Sequence, residues 1–534
     1  MLGPAKARNV DRPAIVSLEM LVPKQHFYRH LDAALDLAFV RDWVADLYAE
    51  RGRPSIDPVV FFKLQLVMFF EGIRSEQQLL AVAADRLSIR WYRGYALNER
   101  LPDQSTLTRT RQRLGLDFFR RFFEHVVDLC EEAGLVWGKE VLADATRVPG
   151  NASMDSLVPR LAEVVDGHLV QLFADEAKQN TAKPTLMDDT PPMLHPKSAR
   201  TEPAPQGDQE RWDVLAECRL DPQRPPSGPY QRISDRKVSR TDPDACAMSM
   251  RDGRTVAGYQ DHYLVDGGKA RIILHAFVTP GDVAENNVLL DQLRRTIFRR
   301  KLRPKRLIAD AKYASADNIR ALEDDDIRAY VPLPEWDKSS PYFHIAAFTY
   351  DADEDVYRCP EGQVLKLEWI DKVGERNVYR ARAATCNACP VKEQCTRSNQ
   401  GRLIGRSFHA AYVERVRSYQ ETPAYKKAMR KRSVWVEPLF AEAKQWHGLN
   451  RFRLRRLANV NIEALLVASG QNLKRWLQVT GWGRRTLPGA APAAASQPAS
   501  TRVDRRQTIY ASWTMWRTRA AESMPPFCKA LLRL

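Results

Sequence analysis

The chain has 534 residues, with 82 Lys+Arg against 66 Asp+Glu and a formal net charge of +16. That length suits roughly two to four domains, and the positive excess favours a polyanionic partner, of which nucleic acid is the commonest. No run of about 18 apolar residues occurs and the opening MLGPAKARNVDRPAIV holds no continuous apolar stretch, which argues against a membrane span or a secretory leader and for a cytoplasmic protein.

Residues 1–14 read as a loose basic lead-in, and 17–134 as helical. Asp57-Pro58 opens a helix by the acid-then-proline rule, followed at helical spacing by Val59, Phe62, Leu66, Phe69 and Phe70. Ser75 and Gln78 form the pattern of a capping box for a helix over 76–86. A further short helix over 106–114 places Arg109 and Arg113 on one face, with Arg111 pointing elsewhere. Short helices ending in spaced Arg and Thr suit a helix-turn-helix-like DNA reader, although a plain scaffold or dimerisation domain fits the same pattern.

From residue 140 the period changes to that of strands. The first covers 140–148, with Asp144 and Thr146 on one face. A helix is allowed over 153–179. The stretch 180–240, rich in Pro, Gln, Asp and Arg, reads as a loop-rich insertion. Alternating runs over 255–265 and 270–279 flank Asp266-Gly267-Gly268-Lys269, a hairpin signal. A helix over 282–300, a strand over 306–310, a helix over 315–323 and a strand over 327–333 follow. This order defines an α/β sandwich.

Cys359, Cys386, Cys389 and Cys395 lie in a cysteine-rich insertion, 350–404. The Cys-x2-Cys step can place two thiolates on one tetrahedral metal, so structural zinc, unligated thiols and an iron–sulfur cluster are all open readings. Eight cysteines in a chain this long do not make a disulfide framework. An amphipathic helix over 460–476 is expected to pack back on the sheet. The Ala/Pro/Ser-rich stretch 486–500 reads as a linker, and the tail 505–534 has no readable period.

Three acids carry the functional argument. VLADATRV and LIADAKYA are apolar runs ending in Ala-Asp-Ala, which puts Asp144 and Asp310 where a buried strand meets solvent. Between Tyr425 and Arg456, ten Lys/Arg surround only Glu437 and Glu442. Glu437 and Lys444 are seven residues apart, about two helical turns, so one helix would point both the same way. Three acids on separate elements are what two divalent cations need for in-line attack on a phosphodiester. Of the competing acids, Asp242 precedes Pro243 and reads as a turn residue, Asp266 belongs to the hairpin turn, and Glu442 points away from Glu437. No Gly-x4-Gly-Lys-Ser/Thr loop is present, so no nucleotide cofactor is expected.

On these residues, and over about 15–480, the sequence resembles the DDE transposases of bacterial insertion sequences. The resemblance implies an α+β protein: an N-terminal all-helical domain (1–137) that contacts DNA, then an RNase H-like α/β catalytic domain (138–480). In that domain a mixed sheet is flanked by helices and interrupted by a loop-rich insertion (151–240) and the cysteine-rich one; 481–534 is left as linker and tail. It also implies that Asp144, Asp310 and Glu437 hold two Mg²⁺ or Mn²⁺ ions and that Arg432, Lys444 and Tyr425 belong to the DNA-facing signature, with Arg109 and Arg113 as DNA contacts of the helical domain. A homodimer would synapse the two element ends. The alternatives are an inactive DNA-binding protein of transposase descent and another two-metal nuclease on the same fold.

Overall fold

The computed structural model describes residues 15–48, 51, 55–159, 237–333 and 341–482. The expectations for 1–14, for 160–236 within the loop-rich insertion, and for the linker and tail beyond 482 lie outside the described residues.

The centre of the molecule is a six-stranded mixed sheet. Strand β1 (Glu140–Pro149) pairs antiparallel with β5 (Thr255–Asp266) and parallel with β7 (Arg306–Ile308). Strand β8 (Arg328–Tyr330) continues the parallel side, while β6 (Ile273–Pro280) and β4 (Cys246–Ser249) both pair with β5. Two shorter strands, β2 (Leu157–Pro159) and β3 (Lys237–Ser239), pair outside this sheet. Residues 157–159 are therefore extended, where the sequence allowed a helix.

Alternation along β1 and β5 sorts two cores, as expected of a sheet covered on both sides. Leu142, Val148, Tyr259, Tyr263 and Val265 face one core. Val141, Ala143 and Leu264 face the other, with Leu289 and Leu293 of the helix Glu285–Arg300, Ile319 of the helix Ala316–Asp324 and Val416 of the helix Ala410–Gln420.

The first core is shared with the N-terminal helices. Asp57 caps the helix Pro58–Glu71 by accepting from the Val59 amide, and the Ser75 hydroxyl accepts from the Gln78 amide at the start of Glu76–Asp85, as the sequence predicts. The helix expected over 106–114 extends through Gln104–Glu132, interrupted at Gly115 (φ +68°), a backbone state open to glycine. Its Phe119, Phe122 and Phe123 lie in the same core as Phe61 and Phe62.

The long helix Leu457–Val479 closes this layer. A Cβ at its Gly470 would overlap the Phe69 ring, so only glycine allows this approach. The helix also covers the edge of the sheet. Asn472 accepts from the Ile273 amide (2.9 Å) and donates to the Ile273 carbonyl (2.9 Å), and Asn461 does the same for Val278 at 2.8 and 3.0 Å. Two carboxamides thus satisfy edge-strand groups that would otherwise be buried without partners. No described helix is long and apolar enough to cross a membrane.

The cysteine-rich segment folds as a five-stranded antiparallel sheet in the order β13-β12-β11-β10-β9: β9 Thr349–Asp351, β10 Val356–Arg358, β11 Val364–Asp371, β12 Arg376–Ala381 and β13 Leu403–Ser407. It has a small core of its own, built on Phe348, Tyr357, Leu365, Tyr379, Ala381 and Ile404.

Two tests of stability follow. Asn472→Ala strands both Ile273 groups and should destabilise the protein by about 2–3 kcal/mol in urea unfolding, with an Asn472→Gln control recovering little. His262 is buried and His275 partly so, and burial holds each imidazole down at about 3 from an ordinary 6.5. A depressed folded-state value stabilises above pH 6.5 and is lost as the pH falls towards 3. Between pH 7 and 4.5 each histidine should therefore cost roughly 2–3 kcal/mol, and His262→Gln should flatten that acid limb.

Candidate active site

Strand β1 pairs with β7 at Glu140↔Arg306, Val141↔Leu307 and Leu142↔Ile308. Asp144 and Asp310 each lie two residues beyond the last β1–β7 pair, Asp144 still within β1 opposite Tyr263 of β5 and Asp310 just past the end of β7, on neighbouring strands roughly 4.8 Å apart. Asp310 caps the turn Ala311–Tyr313, its Oδ1 accepting from the Lys312 amide at 2.9 Å. Asp144 is 8% exposed; its Oδ1 accepts from the Ala145 amide (2.9 Å) and its Oδ2 from Arg432 Nη1 (3.1 Å). Burial raises the Asp144 carboxyl to about 6 against the pull of Arg432, with the charges of Asp310 and Glu285 adding to the rise.

Glu285, which the sequence reading missed, belongs to this acid pocket. It opens the helix Glu285–Arg300, is 6% exposed, and is ion-paired with Lys312 through Oε1. Its Oε2 is buried with no hydrogen-bond partner among the described residues. Burial raises its carboxyl, the Lys312 hydrogen bond and charge lower it, and Asp310 adds to the rise. The only available signal was position, an acid at the first turn after the second hairpin strand.

Glu437 and Lys444 share the helix Glu437–Trp446, as their spacing predicts. Leu439 and Ala443 are buried and Phe440 stacks on Tyr263 at 4.4 Å, which seats the helix on the face of β1 and β5 that carries Asp144. The Glu437 side chain is 54% exposed, and its nearest ionic partner is Arg432 Nη2 at 3.9 Å. Arg432 lies in the last turn of the preceding helix, Pro423–Trp435, and so places one guanidinium between Asp144 and Glu437. That helix is pinned to the hairpin turn: Trp435 Nε1 donates to the Gly268 carbonyl (2.9 Å), and Lys431 to Gly267 (2.6 Å) and to Glu140.

Lys444 turns inward. Its Nζ donates to Thr146 Oγ1 (2.7 Å) and to the Arg147 carbonyl (3.0 Å), two and three residues along β1 from Asp144. Burial lowers its ammonium value, while Asp261, paired across the strands with Thr146, raises it.

Tyr425 requires a correction. It is 7% exposed and its ring lies edge-on to Tyr330 at 5.7 Å, so it packs in the core and does not present a DNA-facing surface. Arg109 and Arg113 are exposed, Arg113 lying over the Tyr48 ring at 4.9 Å, whereas Arg111 is buried against Glu76.

The competing acids have structural partners. Asp242 accepts from the Tyr259 hydroxyl and the Arg456 amide, and Asp266 from the Trp137, Gly138 and Gly268 amides. Burial opposes ionisation of Glu442, yet His447, Arg475 and Lys474 hold its carboxyl well below the usual range. Away from the pocket, donor atoms of Asp317, Glu375 and His409 lie within 4.8 Å of one another. The Arg320 guanidinium is 3.1 Å from His409 Nε2, so a cation already stands beside this group, which spans the β9–β13 segment and the core.

Two families match the chain. Residues 16–113 match one described as a transposase domain (DUF772), and residues 358–477 match one described as a transposase DDE domain. The second segment contains Glu437 and Lys444; Asp144 and Asp310 lie outside both. No curated protein matches the chain. With a helical region preceding a mixed α/β sheet, these two segment matches support a DDE-type insertion-sequence transposase.

The seat of Lys444 gives a direct test. Thr146→Val removes its side-chain acceptor in a half-buried position and should cost about 1–2 kcal/mol in urea unfolding, whereas Thr146→Ser should stay near wild type.

Proposed function

We propose that this transposase binds its element's ends and catalyses Mg²⁺-dependent DNA strand cleavage and strand transfer through Asp144, Asp310 and Glu437. The observation that carries the reading is the convergence of Asp144 and Asp310, 166 positions apart, on adjacent strands beneath the helix that begins with Glu437. Carboxylates suit a hard cation, and the pocket offers a buried aspartate together with an unpartnered Glu285 oxygen. Two divalent ions held there would activate the attacking hydroxyl and stabilise the leaving oxygen.

The chain's own residues orient this chemistry. In the free protein Arg432 supplies the positive charge between Asp144 and Glu437. With those acids engaged elsewhere, its guanidinium is released to a DNA phosphate. Lys444 fixes the Glu437 helix against β1 and contributes positive charge beside the scissile phosphate. Exchange of one phosphodiester for another needs no nucleotide fuel. Arg109 and Arg113 give the helical layer exposed charge for the DNA backbone, and synapsis of two ends calls for two copies of the chain.

The position of Glu285 favours a second reading of the third ligand, in which Glu285 rather than Glu437 completes the resting pocket. In a plasmid assay with the element's ends and Mg²⁺, Asp144→Ala, Asp310→Ala and Glu437→Ala should each lower nicking on the order of 100-fold or more while DNA binding persists. Wild-type nicking by Asp144→Ala would remove the proposal. Loss with Glu285→Gln but retention with Glu437→Gln would assign the third ligand to Glu285. Joining of a free 3′ end to target DNA separates a transposase from a nuclease that only hydrolyses.

A further inference from the structure

We propose that the β9–β13 segment holds one structural zinc ion on the thiolates of Cys359, Cys386, Cys389 and Cys395. The inference is independent of the acid pocket and of DNA chemistry.

The four cysteines come from three separate places in the chain and line one cavity. Cys359 follows β10 directly. The Gly362 amide donates to the Cys359 carbonyl (2.8 Å), the Gln363 amide donates to Cys359 Sγ (3.2 Å), and Gly362 takes φ +74°. The chain thus folds round the sulfur with an amide aimed at it, an arrangement that stabilises a thiolate more than a thiol. Cys386 and Cys389 span the end of the helix Ala383–Asn387, and the Arg402 amide donates to Cys386 Sγ at 3.4 Å. Cys395 ends the helix Lys392–Cys395, and its carbonyl accepts from Arg402 Nη1 at 2.7 Å. Arg402 and Lys392 also line the cavity, supplying positive charge for a site with four anionic ligands.

The size of the segment gives a second reason. Six buried apolar side chains form its core, and Cys359, Cys386 and Cys395 pack against them. A core this small commonly needs a covalent or metal staple. None of the four cysteines is in a disulfide, and all are partly exposed, unlike the buried Cys130 and Cys246. Four sulfurs with a Cys-x2-Cys step form a donor set for tetrahedral zinc at about 2.3 Å per bond. The sulfurs stand wider than that geometry: no three of them form a group within 4.8 Å among the described residues. Binding therefore contracts the cavity, and each ligating thiol gives up its proton on coordination.

The test uses the full chain. Elemental analysis of protein purified without added metal should find close to one zinc per chain, falling towards zero in Cys359→Ser and Cys389→Ser and unchanged in Cys130→Ser. Should the serine variants fail to fold, the wild-type protein still decides. After chelation it should take up Co²⁺ with the strong visible bands of tetrahedral thiolate ligation, and one equivalent of Zn²⁺ should bleach them. No bound metal together with no thiolate–cobalt spectrum overturns the proposal, as does iron with sulfide, which would mark a cluster. Loss of zinc with plasmid nicking intact supports the site, and zinc retained when nicking is absent leaves it standing while the proposed function fails.

Discussion

The parallel pairing of β1 with β7 is the constraint on which the rest depends. Only three residue pairs define it, yet it sets two aspartates abreast that are otherwise unrelated in sequence. The register is held by what lies on either face. Leu142 and Ile308 enter one core, and Val141 and Leu307 the other. A slip of one residue would exchange the faces, burying charge on one side and exposing aliphatic side chains on the other. The same hydrophobic sorting that stabilises the sheet therefore aims Asp144 at the Glu437 helix.

Around that pairing the protein balances charge locally. The overall positive excess coexists with an acid pocket whose members answer to their own cations: Asp144 and Glu437 to Arg432, and Glu285 to Lys312. Each cation arrives on an element fixed by unrelated contacts. Arg432 comes on a helix pinned to the hairpin turn through Lys431 and Trp435, and Lys312 on the turn that Asp310 caps. Acids crowded in a buried pocket are tolerable because these partners offset part of their repulsion.

Much of this was readable from sequence wherever the signal is local. Asp57 and Ser75 mark helix starts because side-chain caps act within three residues. Asp144 and Asp310 stand out only jointly, as two apolar runs that each end in Ala-Asp-Ala, since a single strand-end acid also serves to cap a turn, as Asp310 does. Glu285 gave no such mark, since its burial comes from residues brought in by the sheet. Tyr425 misled for a related reason: an aromatic among lysines and arginines reads as surface, but its helix turns that ring towards Tyr330. Strands β9–β13 were missed because alternation is poor there; β11 leaves Leu367, Trp369 and Ile370 exposed on successive and alternate positions alike. The pairing of β2 with β3 joins segments about eighty residues apart, a relation no local pattern encodes.

The seat of Gly470 against Phe69 has a bearing on spacing along a duplex. With no room for even a methyl group between the long helix and the helical layer, that layer cannot slide relative to the sheet that carries the aspartates. Under the proposed function, the offset between the base pairs gripped by the helices and the bond that is cut becomes a property of the fold, a rigid caliper rather than a tether.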